Sequence, residues 1–301
     1  MFIIQYRKFF IWLSVALCTV SLAAVAAFGL PLGIDFKGGS SIELAYSTPR
    51  PEVSVIKSAL TTAGYEDAVV QPVGDDTIVI KNSELTESER ATIVEAVGTT
   101  GTVEQRGFTT IGPSVGAELK NKAILSIVLV LIAIIFFVAY AFRKVSEPVS
   151  SWKFGLAVIV ALVHDIIIPV GAFAIISHVT GAELDTLFIV ALLTTLALSI
   201  SDTIVVFDRV RERLGNNNKQ PFPELVGESL RETFGRSINT SLMVLVMIVA
   251  LAVFGPASTQ LFAIILAIGT FFGIYSSIFL ASPILVMMEQ SQNKNKEKEE
   301  K

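Results

Sequence analysis

LSISDTIVVFDRVRER, residues Leu198 to Arg213, begins as the second half of an apolar run and ends as a basic helix. Asp202 sits inside the apolar part, and Asp208, Arg209, Arg211, Glu212 and Arg213 follow. An ionisable side chain inside a membrane helix is costly, so it points to function unless a structural partner accounts for it. Composition says that there is a membrane. Of the 301 residues, 52% are hydrophobic and only 17% charged, where a soluble domain carries roughly a quarter charged. The expected fold class is an α-helical polytopic membrane protein.

Apolar runs near 20 residues are candidate spans, and six are read: 9–30, 122–142, 153–176, 186–207, 237–255 and 260–288. The first could be a signal peptide, but its apolar run of about 22 residues exceeds the usual h-region. It is read as an uncleaved helix, with residues 1–30 as the N-terminal segment and first span. Lys and Arg collect before span 1, between spans 2 and 3, between spans 4 and 5 (segment 208–235) and after span 6. The short loops at 178–185 and 256–259 carry neither. The positive-inside rule then puts both termini in the cytoplasm. The stretch PFPELVGESLRETF is amphipathic and is expected to lie along the membrane surface, after a flexible turn at Gly215-Asn216-Asn217-Asn218. The polar tail 289–301 is expected to be disordered. Spans 2 to 6 make a region 121–288.

Residues 31–120 form the only large outside segment. Ser40–Tyr46 alternates as a strand, and Pro51–Gly64 reads as a helix with a Gly stop. Ala68–Val73 and Thr77–Lys81 read as strands around the turn Gly74-Asp75-Asp76. Thr86 to Glu89 is a capping-box start for a helix to Gly98, and Thr102–Phe108 is a last strand. The order βαββαβ predicts a small α+β, ferredoxin-like extracytoplasmic domain between spans 1 and 2. It contains no His and offers no catalytic site; a polypeptide-handling surface and a passive cap remain open.

Chemistry-bearing residues lie in the spans. Thr195, Ser199 and Asp202 are spaced i, i+4, i+7 and share a helix face. Either Asp202 is a structural hydrogen-bond partner, or it works in a hydrated path. Arg236 heads span 5, with Asn239 or Thr240 and Met243 on its face. Arg236 can either snorkel towards Asp202 or bind lipid phosphate. If the two pair, the acid stays ionised beside the arginine and takes up a proton when withdrawn into apolar surroundings. That alternation could couple a proton gradient to movement. His164 and Asp165 lie mid-span 3, four residues before Pro169, which leaves the Asp165 carbonyl without its helical donor. Adjacent residues point about 100° apart, so the two are not expected to serve one site. Gly269, Gly273 and Ser277 form a small-residue ridge for close helix packing. Gly33, Asp35, Gly38 and Gly39, in GIDFKGG, read as a turn or hinge. With no CxxC, HExxH or phosphate loop, no metal or cofactor is expected and no enzyme is read. Basic residues confined to helix ends argue against nucleic acid as a partner.

Together GIDFKGGS at 33–40, IGPSVGAEL at 111–119, VHD at 163–165, DTIVVFDRVRE at 202–212 and the Arg236 segment resemble the SecF branch of the SecD/SecF protein-export family, RND-like membrane proteins. The resemblance covers nearly the whole chain. Two positions depart from the family pattern: Ser201 stands where the family often has Asn, and Gly235-Arg236-Ser237 where it often has Ser-Arg-Thr. The resemblance implies an accessory subunit of the Sec machinery in a bacterial cytoplasmic membrane, paired as a heterodimer with a SecD-like subunit. It would use the proton gradient to promote polypeptide translocation, with Asp202 and Arg236 in proton coupling. Its partners would be the translocon channel, the moving polypeptide and membrane lipids. Two rivals are an RND-type exporter of lipids or small molecules and a translocon scaffold without ion coupling.

Overall fold

The computed structural model describes residues 2–143, 151–215 and 220–299. Six helices are long and apolar enough to cross a membrane. After a short turn α1 (Phe2–Gln5), they are α2 (Arg7–Phe28), α6 (Pro113–Ala141), α7 (Ser151–Thr180), α8 (Thr186–Gly215), α9 (Phe222–Phe254), and α10 (Ala257–Ser276) continued by a π-helical segment (Ser277–Ala281) and α11 (Ser282–Glu299). The small-residue ridge of α10 sets the centre of this bundle. A side chain at Gly269 would strike Thr195, and one at Gly273 would touch Ser199. The ridge therefore serves close packing of α10 on α8 within this chain. On α6 and α9 the apolar side chains Ile124, Val128, Phe136, Met243, Val246 and Met247 stay exposed, as expected for faces turned to lipid.

Between α2 and α6 stands the outside domain. A one-turn helix α3 (Ile34–Lys37) leads into β1 (Gly39–Tyr46), α4 (Val53–Thr62), β2 (Val69–Val73), β3 (Thr77–Asn82), α5 (Glu87–Gly98) and β4 (Val103–Ile111). The antiparallel sheet has the order β2-β3-β1-β4, with β1 central. Inward-facing Ile42, Leu44, Ile78 and Ile80 alternate along the two middle strands and meet Ile56, Leu60, Ile93 and Val97 of the helices. These side chains fill the interior. Thr86 caps α5 in the reciprocal pattern expected: Glu89 N–H bonds its hydroxyl at 3.4 Å, and Glu89 Oε2 accepts from Thr86 N–H at 2.7 Å.

The domain is fastened to the membrane part at the start of GIDFKGG. Gly33 N–H donates to the Leu184 carbonyl, and Leu184 N–H to that of Pro31, each at 2.7 Å. Asp35 Oδ2 accepts the Thr186 amide at 2.8 Å, at the start of α8. Lys81 reaches Glu183 at 3.1 Å. Beside these, burial pushes the Asp185 carboxyl above the usual carboxylate range. The Phe188 amide works against that shift, and the charge of Asp35 adds to it.

Three features differ from the sequence reading. The amphipathic stretch is no separate surface helix. It is the first part of α9, whose residues Phe222, Leu225, Val226, Leu230 and Thr233 are buried. Charges hold it against α8: Arg213 contacts Glu228 and Glu232, and Arg209 contacts Glu232. The tail, expected to be disordered from 289, continues as helix to Glu299. Its Gln, Lys and Glu residues are good helix formers, and Lys153 Nζ donates to the Met288 carbonyl at 3.0 Å. Finally, α6 begins at Pro113, ahead of the expected residue 122, because proline suits the first helical position. The turn at Asn216-Asn217-Asn218 and the end of the tail lie outside the described residues.

Candidate functional site

Two polar centres occupy the bundle. The first surrounds Asp202. On α9, Thr233, Ser237 and Ser241 are buried and spaced by four, so this stripe faces inward. Ser241 Oγ donates to Asp202 Oδ2 at 2.6 Å. Asp202 is half-buried in the wall of a narrow cleft of about 60 Å³, lined also by Leu198, Ser199, Ser201, Thr240 and Thr270.

Arg236 lies one position from the inward stripe, about 100° around α9. It is exposed, as is Asn239. Among the described residues no ion pair joins Arg236 to Asp202. Arg236 instead lines a neighbouring cleft of about 480 Å³ with Asp208, Arg209, Glu212 and Glu232. The face containing Arg236, Asn239 and Met243 thus turns outward, and Ser241 supplies the contact to the acid. A burial-based reading of the stripe Thr233, Ser237, Ser241 would have found this partner; one based on charge did not.

The second centre is fully enclosed. Asp165 is 0% exposed and His164 2%. His164 Nδ1 lies 2.9 Å from Asp165 Oδ1. Asp165 Oδ2 accepts from Ser276 Oγ at 2.8 Å and from Ser199 Oγ at short range. The expectation that His164 and Asp165 serve separate sites is therefore corrected. Although their Cα–Cβ bonds diverge, the two side chains meet, with Asp165 received by Ser199 and Ser276 and His164 lying against Phe272 and Tyr275. The stripe Thr195, Ser199, Asp202 also divides: Ser199 binds Asp165, Asp202 binds Ser241, and Thr195 packs on Gly269.

Ser276 and Ser277 escaped the sequence search as polar groups. Ser277 Oγ lies 2.7 Å from Thr203 Oγ1 and donates to the Ser199 carbonyl at 3.1 Å. Both serines sit where α10 passes into the π-helical segment, a local underwinding often found at functional sites. The adjacent pair of serines within an apolar run was the available signal.

The remaining predicted residues, Gly33, Asp35, Gly38 and Gly39, lie together at the domain's attachment, away from both centres. Among the described residues no group of His, Cys, Asp and Glu could hold a metal ion.

Residues 91–291 match the family described as protein export membrane protein SecD/SecF, C-terminal, and residues 23–49 match the SecD/SecF GG motif. The chain belongs to the SecD/SecF family. It is 37% identical to protein translocase subunit SecF of Thermobaculum terrenum, over 95% of this chain and 93% of that protein. It is 35% identical to the subunit of the same name from Anaerolinea thermophila, over 97% and 96%. Among solved structures it resembles SecDF, a translocon-associated membrane protein from Thermus, with a TM-score of 0.85 at 30% identity. That match covers 95% of this chain but 38% of the SecDF chain. A SecDF structure in a super-membrane-facing form gives a TM-score of 0.70 at 29% identity, covering 99% of this chain and 40% of the other. Family membership and six apolar helices make this a multi-pass protein of the bacterial cytoplasmic membrane.

Proposed function

We propose that this chain is an accessory subunit of the Sec protein-export machinery, acting with a SecD-like partner to draw polypeptides outward at the expense of the proton gradient. Relatives named protein translocase subunit SecF over nearly their full length support the role in export. The partner is supported by the SecDF chains, of which this chain matches only about two fifths. Both termini are cytoplasmic, from the Lys/Arg pattern, and the outside domain meets the polypeptide beside the translocon channel and among membrane lipids.

The observation that carries coupling is Asp202: a half-buried carboxyl inside a span, held among the described residues by the Ser241 hydroxyl in a cleft wall. Such an acid is expensive in lipid and is best explained by ion transfer. Arg236, in the next cleft and about 7.5 Å along α9 from Ser241, is placed to approach or leave it when the bundle moves. Proximity of the arginine favours the ionised carboxyl, and separation favours the protonated one. The filled interior of the outside domain disfavours the reading as an exporter of lipids or small molecules.

The test is Asp202→Asn in membrane vesicles with an imposed proton gradient. Gradient-stimulated export is expected to fall to the level of vesicles lacking the subunit. Unchanged stimulation would leave the scaffold reading. Arg236→Ala should reduce the same stimulation, and affinity purification of the chain should recover a SecD-like subunit.

A further inference from the structure

The proposed coupling uses Asp202 and Arg236 and leaves the enclosed centre without a role. That centre is not isolated. Ser199 lines the cleft that contains Asp202, and its hydroxyl is also a donor to Asp165. One residue therefore borders both places. Thr270 Oγ1, in the same cleft wall, is buried with no hydrogen-bond partner among the described residues. Buried hydroxyls are normally satisfied, and a cleft of about 60 Å³, with Asp202 and the residues Ser199, Ser201, Thr240, Ser241 and Thr270 in an otherwise apolar wall, has room for water.

The state of the histidine follows from its surroundings. His164 Nε2 is buried and has no partner among the described residues. The ring stacks on Tyr275, with centroids 5.9 Å apart, and meets Phe272 edge-on. An imidazolium would bury a charged Nε2–H that has no acceptor among the described residues, which is costly. A neutral ring with its hydrogen on Nδ1 donates to Asp165 and leaves only a lone pair at Nε2. Asp165 then holds a carboxylate with three donors and no cation: among the described residues neither Lys nor Arg pairs with it. The other titratable groups around it are Cys18 of α2, within electrostatic reach of Asp165, and Tyr275 of α10, which hydrogen-bonds the Phe10 carbonyl. On α8 the nearest is Asp202, beyond Ser199. Lys153, on the same helix, lies about 18 Å along the axis.

We propose that Asp165, steadied by neutral His164, is a second proton-binding site, reached from the Asp202 cleft through the hydroxyl of Ser199. In the transfer, an excess proton on cleft water, or protonated Asp202, is given to Ser199 Oγ as Ser199 passes its own hydrogen to Asp165 Oδ2. The donor keeps its electron pair, becoming neutral water or carboxylate, and Asp165 becomes a neutral acid. The reverse motion returns the proton. Ser276 keeps its hydrogen bond to Oδ2 and His164 its bond to Oδ1, so the site survives both states without a large rearrangement. The π-helical segment holds Ser276 and Ser277 at this centre together.

This inference rests on the coupling reading only for the use made of the proton. The test reads protonation directly and needs no export. The full chain in lipid nanodiscs is followed by infrared difference spectroscopy after a pH jump, in the carbonyl stretch of protonated carboxyl groups. Asp202→Asn and Asp165→Asn should each remove one band. Ser199→Ala should retain both bands but slow the rise of the Asp165 band about tenfold or more. Ser199→Thr, which keeps a hydroxyl, should restore the rate. If Asp165→Asn does not fold, His164→Gln identifies the band by shifting it. A missing Asp165 band throughout the titration overturns the proposal, as does an Asp165 rate indifferent to Ser199→Ala. Loss of export in Asp202→Asn with no Asp165 band would sink this inference and leave the coupling reading intact.

Discussion

Gly39 shows how a residue read for its freedom turns out to be held. Its φ is +138°, a conformation that side chains other than glycine's rarely adopt. A Cβ there would stand 2.5 Å from the Asn82 carbonyl oxygen, and one at Gly38 would stand 2.8 Å from the Pro113 Cα. Both obstacles are backbone, so neither can swing aside. The pair forms a tight elbow between β3 and the start of α6. Gly39→Ala is expected to destabilise the protein by about 2 kcal/mol, read from thermal unfolding in detergent. Gly98→Ala, at a helical position with open space around it, should be neutral or stabilise by up to about 1 kcal/mol. Equal stability of the two variants would show that the elbow yields. The glycines themselves were legible in the sequence. Their confinement was not, because the confining atoms come from residues 82 and 113. The same limit separated Asp202 from its partner: charge singled out Arg236, whereas the register of α9 turned Ser241 to the acid.

Elements were more legible where a local rule fixed them. The capping box at Thr86, the turn at Gly74-Asp75-Asp76 and the alternation along β1 and β3 each depend on neighbours in sequence, and each agrees with the structure. Hydropathy likewise placed every span, since lipid imposes a length on each apolar run. The cytoplasmic half of α9 was misread because amphipathicity alone cannot distinguish a membrane surface from the face of another helix. Its partner is α8, through Arg209 and Arg213. This distinction has a measurable consequence at Gly235. In one continuous helix, Gly235→Pro removes a hydrogen bond and crowds the Arg231 carbonyl, at a cost of about 3 kcal/mol. Thermal unfolding of the variant should show that loss. A surface helix ending near residue 235, followed by a separate span, would accept proline there with little change.

At the scale of the whole molecule, the outside domain and the membrane bundle meet through the buried Phe36 ring, packed with Phe173, Leu184 and Phe188, and through a set of polar contacts. Pro31, Gly33 and Leu184 exchange backbone bonds, Asp35 caps the start of α8, and Lys81 pairs with Glu183. Both members of that ion pair are largely shielded, at 18% and 17% side-chain exposure. Removing one partner therefore leaves the other poorly solvated. Charge reversal distinguishes this pair from general surface charge. Lys81→Glu alone and Glu183→Lys alone should each loosen docking, and the double variant should restore it. Spin labels at Lys57→Cys and Val179→Cys in a Cys18→Ser background report the result, since both sites are exposed. The distance distribution should broaden in each single variant and narrow in the double. Acidity should act in the direction set by Asp185. Burial raises its carboxyl above the ordinary range in the docked state, so docking takes up a proton if exposure returns the group to its ordinary value. Docking then strengthens as pH falls towards the ordinary carboxylate value and weakens as pH rises through the elevated one. In Asp185→Asn that part of the pH response should vanish while the effect of the Lys81–Glu183 reversal remains. A distribution that stays narrow in both single variants would show that the backbone bonds and the Asp35 cap hold the domain without the ion pair.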